Sequence, residues 1–124
     1  MSYKPIIIVA GEPNSIFFEI FFKSLKKNKF RSPIILICSR DLLYLQMKKL
    51  KFNYEKNIID ENKIEYKLKK NKINLINVNY NTKKAFEKIS SKSNIYIKNC
   101  FKLSLKLLNK GVTKKFINGP ISKK

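Results

Sequence analysis

The chain has 124 residues, enough to bury one core and with little room for a second. Its 28 Lys and Arg face 8 Asp and Glu, a formal net charge of +20, and it contains no histidine. Without histidine, and with its few carboxylates scattered, it presents no metal constellation and no general base tuned near neutrality.

A charge of this size in isolation points to a nucleic acid or an anionic membrane as partner. Two details weaken that inference. Only Arg31 and Arg40 are arginine, whereas base and phosphate readers favour the bidentate guanidinium fork. Lysine, isoleucine and asparagine together make up almost half of the chain, the usual result of A+T-rich coding. A solvated lysine coat set by codon supply therefore stands ahead of a polyanion footprint.

Cys38 and Cys100 are too few and too far apart for a disulfide framework or a metal cluster, and each lies in an apolar segment. They read as small core thiols in a reducing compartment. The apolar run Ile6-Ile7-Ile8-Val9-Ala10 is too short for a secretory signal, and Glu19 and Lys23 interrupt the most apolar region, so no membrane span is expected. A soluble cytoplasmic protein is the default.

In chain order, short β-rich runs alternate with helical periodicity, the pattern of βαβ units and a largely parallel sheet. Residues 4–10 form the first strand, apolar throughout as in strands covered on both faces. Gly11 and Pro13 break it. Residues 15–28 have helical spacing, with Ile16, Phe17, Ile20, Phe21 and Leu25 on one broad face. Residues 33–38 are a second buried strand, and Ser39 is the N-cap of a helix through Leu42, Leu43, Leu45, Met47 and Leu50. Residues 52–72 have no clear period and are left unassigned, with room for a short strand or hairpin.

Residues 73–78 form a third strand, and 79–92 read as loop with a helical turn around 85–89. Ser93 or Asn94 caps the next helix, whose apolar face carries Ile97, Cys100, Phe101, Leu105 and Leu108, and Gly111 stands at its C-terminal cap. A buried strand over 114–118 runs into Gly119-Pro120. No internal repeat or linker interrupts the chain, so residues 1–124 form one α/β segment. Two of the three glycines, Gly11 and Gly119, fall at strand-to-loop corners on the edge where open α/β sheets bind ligands.

Several segments, taken in order, resemble one family. The run from Ile8 through Gly11-Glu12-Pro13-Asn14-Ser15-Ile16 to Glu19-Ile20 is similar to the opening signature of the 4-hydroxythreonine-4-phosphate dehydrogenases of vitamin B6 biosynthesis. Pro33-Ile34-Ile35 through Ser39-Arg40-Asp41-Leu42-Leu43 resembles the family's second strand and following helix. The helix from Asn94, the Gly111 corner, and Phe116-Ile117-Asn118-Gly119-Pro120-Ile121-Ser122-Lys123 resemble the stretch that ends in the family's Pro-Ile-Asn/Ser-Lys motif.

The resemblance implies a three-layer fold, a mostly parallel sheet with flanking helices, forming the N-terminal part of an isocitrate/isopropylmalate-dehydrogenase-like architecture. It implies NAD-dependent oxidation of 4-phosphohydroxy-L-threonine, followed by decarboxylation, in a homodimer that binds a divalent metal and a phosphorylated small-molecule substrate.

The family's metal-binding histidines and downstream phosphate contacts follow its Pro-Ile-Asn-Lys segment, so no catalytic or metal residue is carried over. The opening loop also departs from the family, with Ser15 and Phe17 in place of two glycines and Phe18 in place of a proline. Substrate-proximal candidates are Glu12, Asn14, Ser15, Asn118, Ser122 and Lys123, each of which also fits capping, a turn or a frayed end. Phe17, Phe18, Phe21, Phe22 and Phe30 read as core or a lost interface rather than a stacking platform for bases.

Three functions follow. The first is an N-terminal segment of such a dehydrogenase, inactive alone and either prone to aggregate or only partly folded, because it exposes surface that the remainder would cover. The second is a small basic nucleic-acid-binding module, and the third a stand-alone enzyme with altered chemistry.

Overall fold

The computed structural model describes residues 4–11, 16–27, 32–60, 62, 68–69, 72–80 and 91–118, with only the backbone of 91–93. Five strands make one sheet: β1 (Ile6–Val9), β2 (Ile34–Cys38), β3 (Lys56–Ile58), β4 (Ile73–Asn77) and β5 (Lys115–Asn118). Their order is β3-β4-β2-β1-β5, and every neighbouring pair is parallel. Among the described residues three helices flank the sheet: α1 (Phe17–Lys27), α2 (Arg40–Lys49) and α3 (Ser91–Asn109). The unassigned stretch 52–72 thus contains the short edge strand β3. The turn foreseen at 85–89 lies outside the described residues.

The order follows from which strands are apolar on both faces. All five residues of β2 are buried, so β2 sits between β4 and β1, and three of the four in β1 are buried as well. Right-handed crossovers from β1 to β2 and from β2 past β4 to β3 put α1 and α2 over one face. The stacked rings of Phe22 on α1 and Phe52 just past α2, 4.5 Å between centroids, join those two helices. The return to β5 on the far side of β1 carries α3 over the other face, where Phe101 meets Phe116 of β5.

Three expectations need correction. The buried face of α1 is Phe18, Phe21, Phe22 and Leu25, while Ile16 and Ile20 are 60% and 57% exposed. The four larger or more central side chains form a stripe of their own at helical spacing, and the two isoleucines fall on its flank. In α3 the buried stripe is Tyr96, Ile97, Cys100, Ser104 and Leu107, and Leu105 is exposed. Ser104 can lie inward because its hydroxyl donates to the Phe101 carbonyl at 2.8 Å. Finally, β5 is not a buried strand: only Phe116 is even half-buried, because among the described residues β5 has a neighbouring strand on one side alone. The start of α3 at Ser91 is two to three residues earlier than the caps proposed for it.

Both well-described helix ends close in the same way. Gly111 N–H donates to Leu108 and Val112 N–H to Leu107 at the end of α3, while Lys51 N–H donates to Lys48 and Phe52 N–H to Met47 at the end of α2. This paired closure needs a left-handed residue, and Gly111 has φ 77° and Lys51 has φ 54°.

At the amino edge of the sheet, the buried Asn74 side chain makes a full set of bonds. Its amide donates to the carbonyls of Ile34 and Lys69, and its oxygen accepts from Lys69 N–H and the Asn57 amide. Among the described residues no helix is long and apolar enough to cross a membrane.

Candidate functional site

The chain leaves β1 in one direction along the sheet and returns to its other side with β5. The crevice between the carboxyl ends of β1 and β5 is therefore the point where strand order reverses, the usual ligand position in an open parallel sheet. Val9 stands opposite Asn118 in the register, so these residues mark the two banks. Past Val9 the chain is held by the Ala10 N–H to Ile37 carbonyl bond, 3.4 Å, and then turns at Gly11 with φ 79°. A residue with a β-carbon is disfavoured at that angle, which is why the corner carries glycine.

Of the substrate-proximal candidates, Asn118 is exposed at the end of β5. Glu12, Asn14, Ser15, Ser122 and Lys123 lie outside the described residues. A second group stands at the same edge, beyond β2 and β4, in which Ser39 is the N-cap expected from the sequence while Asn77 and Tyr96 were not singled out. Ser39 caps α2, its hydroxyl accepting the Leu42 N–H at 3.2 Å, and Asn77 at the end of β4 accepts the Arg40 N–H at 2.7 Å. Asn77 in turn donates to the Asn79 side chain. These leading amides of α2 are thus bonded to protein oxygens.

Tyr96 of α3 reaches across to the same place, where its hydroxyl accepts the Ser39 backbone N–H at 2.8 Å and its ring packs 4.9 Å from that of Tyr80. Burial, with the nearby Cys38 adding to it, holds the Tyr96 hydroxyl well above its ordinary range. Burial likewise pushes the Cys100 thiol up to about 12, although a hydrogen bond from Tyr96 opposes the rise. Cys38 is raised by burial first and by Cys100 second. All three groups are neutral near pH 7, so they are packing and hydrogen-bonding groups rather than nucleophiles or bases. Asn77 was visible as the polar end of an apolar strand. Tyr96 was visible in its spacing of four from Cys100.

The chemistry available here is recognition: a glycine corner, an exposed carboxamide and the carboxyl ends of two parallel strands. No three His, Cys, Asp or Glu side chains come together among the described residues, and the sequence has no histidine. The described residues therefore do not make a ligand set for the divalent metal that the resemblance implies. They also carry no glycine-rich turn of the dinucleotide-binding kind.

Neither a protein-family model nor a curated protein matches the sequence. Solved structures do. The chain is similar to a 4-hydroxythreonine-4-phosphate dehydrogenase from Klebsiella pneumoniae, with TM-score 0.81, 21% identity, and coverage of 98% of this chain and 38% of that one. It is equally similar in shape to the enzyme from Burkholderia phymatum, with TM-score 0.81, 16% identity, and coverage of 99% and 38%. A Salmonella typhimurium protein provisionally assigned to the same activity has TM-score 0.80, 23% identity, and coverage of 98% and 39%. At these identities the likeness is one of fold: almost all of this chain has the α/β fold of a portion of such dehydrogenases, spanning 38–39% of their length.

Proposed function

We propose that the chain corresponds to the N-terminal part of a 4-hydroxythreonine-4-phosphate dehydrogenase, forming one bank of its substrate cleft without turning over alone. The observation that carries this reading is the position of Asn118 and Gly11. They flank the β1/β5 switch point of a sheet whose fold matches such enzymes along nearly the whole chain. The collinear motifs around Gly11, Ser39 and Asn118 support it independently of shape.

On this reading Glu12, Asn14, Ser15, Asn118, Ser122 and Lys123 line the near side of a site for 4-phosphohydroxy-L-threonine. NAD, the divalent metal and the remaining catalytic groups are held mainly by polypeptide beyond this segment. Homodimerisation and a cytoplasmic, reducing setting belong to the same proposal. Exposed isoleucines support it too: Ile117 on β5 is 53% exposed, and Ile16 just before α1 and Ile20 within it are also uncovered, apolar side chains suited to burial against further structure.

Calorimetric titration with 4-phosphohydroxy-L-threonine tests the reading. Weak binding that falls about tenfold in Asn118→Ala, the equivalent of one hydrogen bond to a charged or polar ligand group, is the expected result. Absence of binding by the parent chain overturns it. NADH formation by the chain alone with NAD, metal and substrate overturns the statement that it supplies only part of the site.

A further inference from the structure

A cavity of about 300 Å³ lies at the opposite edge of the sheet from Asn118, lined by Tyr44, Met47, Lys48, Lys51, Phe52, Asn53 and Lys56. Its walls come from the outer side and end of α2 and the start of the edge strand β3. We propose that it is a binding site for a small nucleoside phosphate, with the phosphate among Lys48, Lys51 and Lys56 and the flat ring on Tyr44.

Four observations separate this place from the general lysine coat. First, three cations from three backbone settings converge on one concavity of ligand size with no carboxylate in its wall. The ion pairs among the described residues, Lys23 with Glu19 and Lys72 with Glu55, lie elsewhere. Second, the Lys56 ammonium is held by the wall, 5.5 Å from the Tyr44 ring centroid and 3.8 Å from the Met47 sulfur. Third, Tyr44 is 60% exposed, a large aromatic face beside those cations.

The fourth is Lys51. Two helices end in the same bond pattern, and where α3 places Gly111 in the left-handed position, α2 places Lys51. A β-carbon disfavours that conformation, so glycine would serve the turn better. What lysine adds is a cationic side chain in the lining of the cavity. Its like-charged neighbours repel one another until an anion enters, and an anion with several oxygens can be shared among them.

The test uses ADP, inorganic phosphate and adenosine as probes, titrated into the full chain at physiological salt. ADP is expected to bind more tightly than either part. Lys51→Gly is expected to raise the thermal midpoint while weakening ADP by about tenfold, and Tyr44→Ala to weaken it similarly. Lys102→Gln, the same change in net charge on exposed α3, and Asn118→Ala, at the other edge, are expected to leave ADP affinity unchanged. Asn118→Ala thereby separates this site from the substrate cleft proposed above. ADP binding that falls as much in Lys102→Gln as in Lys51→Gly would mean attraction by net charge and overturn the proposal. So would undetectable ADP binding, or an oligoadenylate that binds far more tightly through the same residues, which would indicate RNA.

Discussion

Tyr96 and Ser39, 57 positions apart, are joined by a 2.8 Å hydrogen bond in which the Tyr96 hydroxyl accepts the Ser39 backbone N–H. The bond fastens α3, on one face of the sheet, to the first residue of the turn that opens α2 on the other. Both residues are buried, so no solvent replaces the acceptor if it is lost. Tyr96→Phe is therefore expected to lower stability by about 1–3 kcal/mol, the cost of an unsatisfied buried N–H. Urea unfolding of the two proteins measures it, and an unchanged midpoint would contradict the role given to the hydroxyl.

Gln46 presents the reverse case. It lies fully buried on α2, and among the described residues neither its amide nitrogen nor its oxygen has a hydrogen-bond partner. Gln46→Met keeps length and volume while removing the orphaned amide, and it should stabilise the fold by about 1–2 kcal/mol. A loss of stability on the same urea assay would mean that the amide has a polar partner in solution.

The raised thiols and phenol make stability fall in alkali. Cys38, Cys100 and Tyr96 have folded values above their ordinary 9.0, 9.0 and 10.0, so between the two values the folded chain binds more protons than the unfolded one. Their contribution is complete below about pH 8 and is lost as pH rises through 9 and beyond, by up to about 1.4 kcal/mol per pH unit per group. Thermal midpoints from pH 7 to 10.5 should therefore decline. The decline should be shallower in Cys38→Ala/Cys100→Ala, and equal slopes would contradict the assignment.

The exposed isoleucines of α1 and β5 should make the isolated chain self-associate. Ile20→Lys with Ile117→Thr removes two exposed isoleucines without touching the buried stripes. Light scattering should show less association in the variant with an unchanged thermal midpoint. A parent chain that stays monomeric at high concentration would show that this surface needs no cover.

Strands β1, β2 and β4 were legible because strands buried on both faces are continuous apolar runs, and Ser39 and Gly111 were legible because caps have a restricted chemistry. The edge elements were not. β3 is only Lys56–Ile58, too short to establish a period, and β5 contains Phe116-Ile117, which reads as core but has a neighbour on one side only. Ile16 and Ile20 were assigned inward because hydrophobicity marks what can be buried, not what is. At the candidate site, Asn118 was found through its motif, while Tyr96 and Asn77 were missed because their partners are backbone amides of Ser39 and Arg40. Their positions in strand and helix could be read locally, but the long-range bonds they make could not.

The most direct measurement is an amide NMR map of the chain during titration with 4-phosphohydroxy-L-threonine. Shifts concentrated at Val9, Ala10, Gly11 and Asn118, fading along β1 and β5 towards the amino edge, are expected if the strand-order reversal is one bank of a substrate cleft. Shifts spread over surface lysines, or confined to α2 and β3 with Gly11 and Asn118 unmoved, would contradict it.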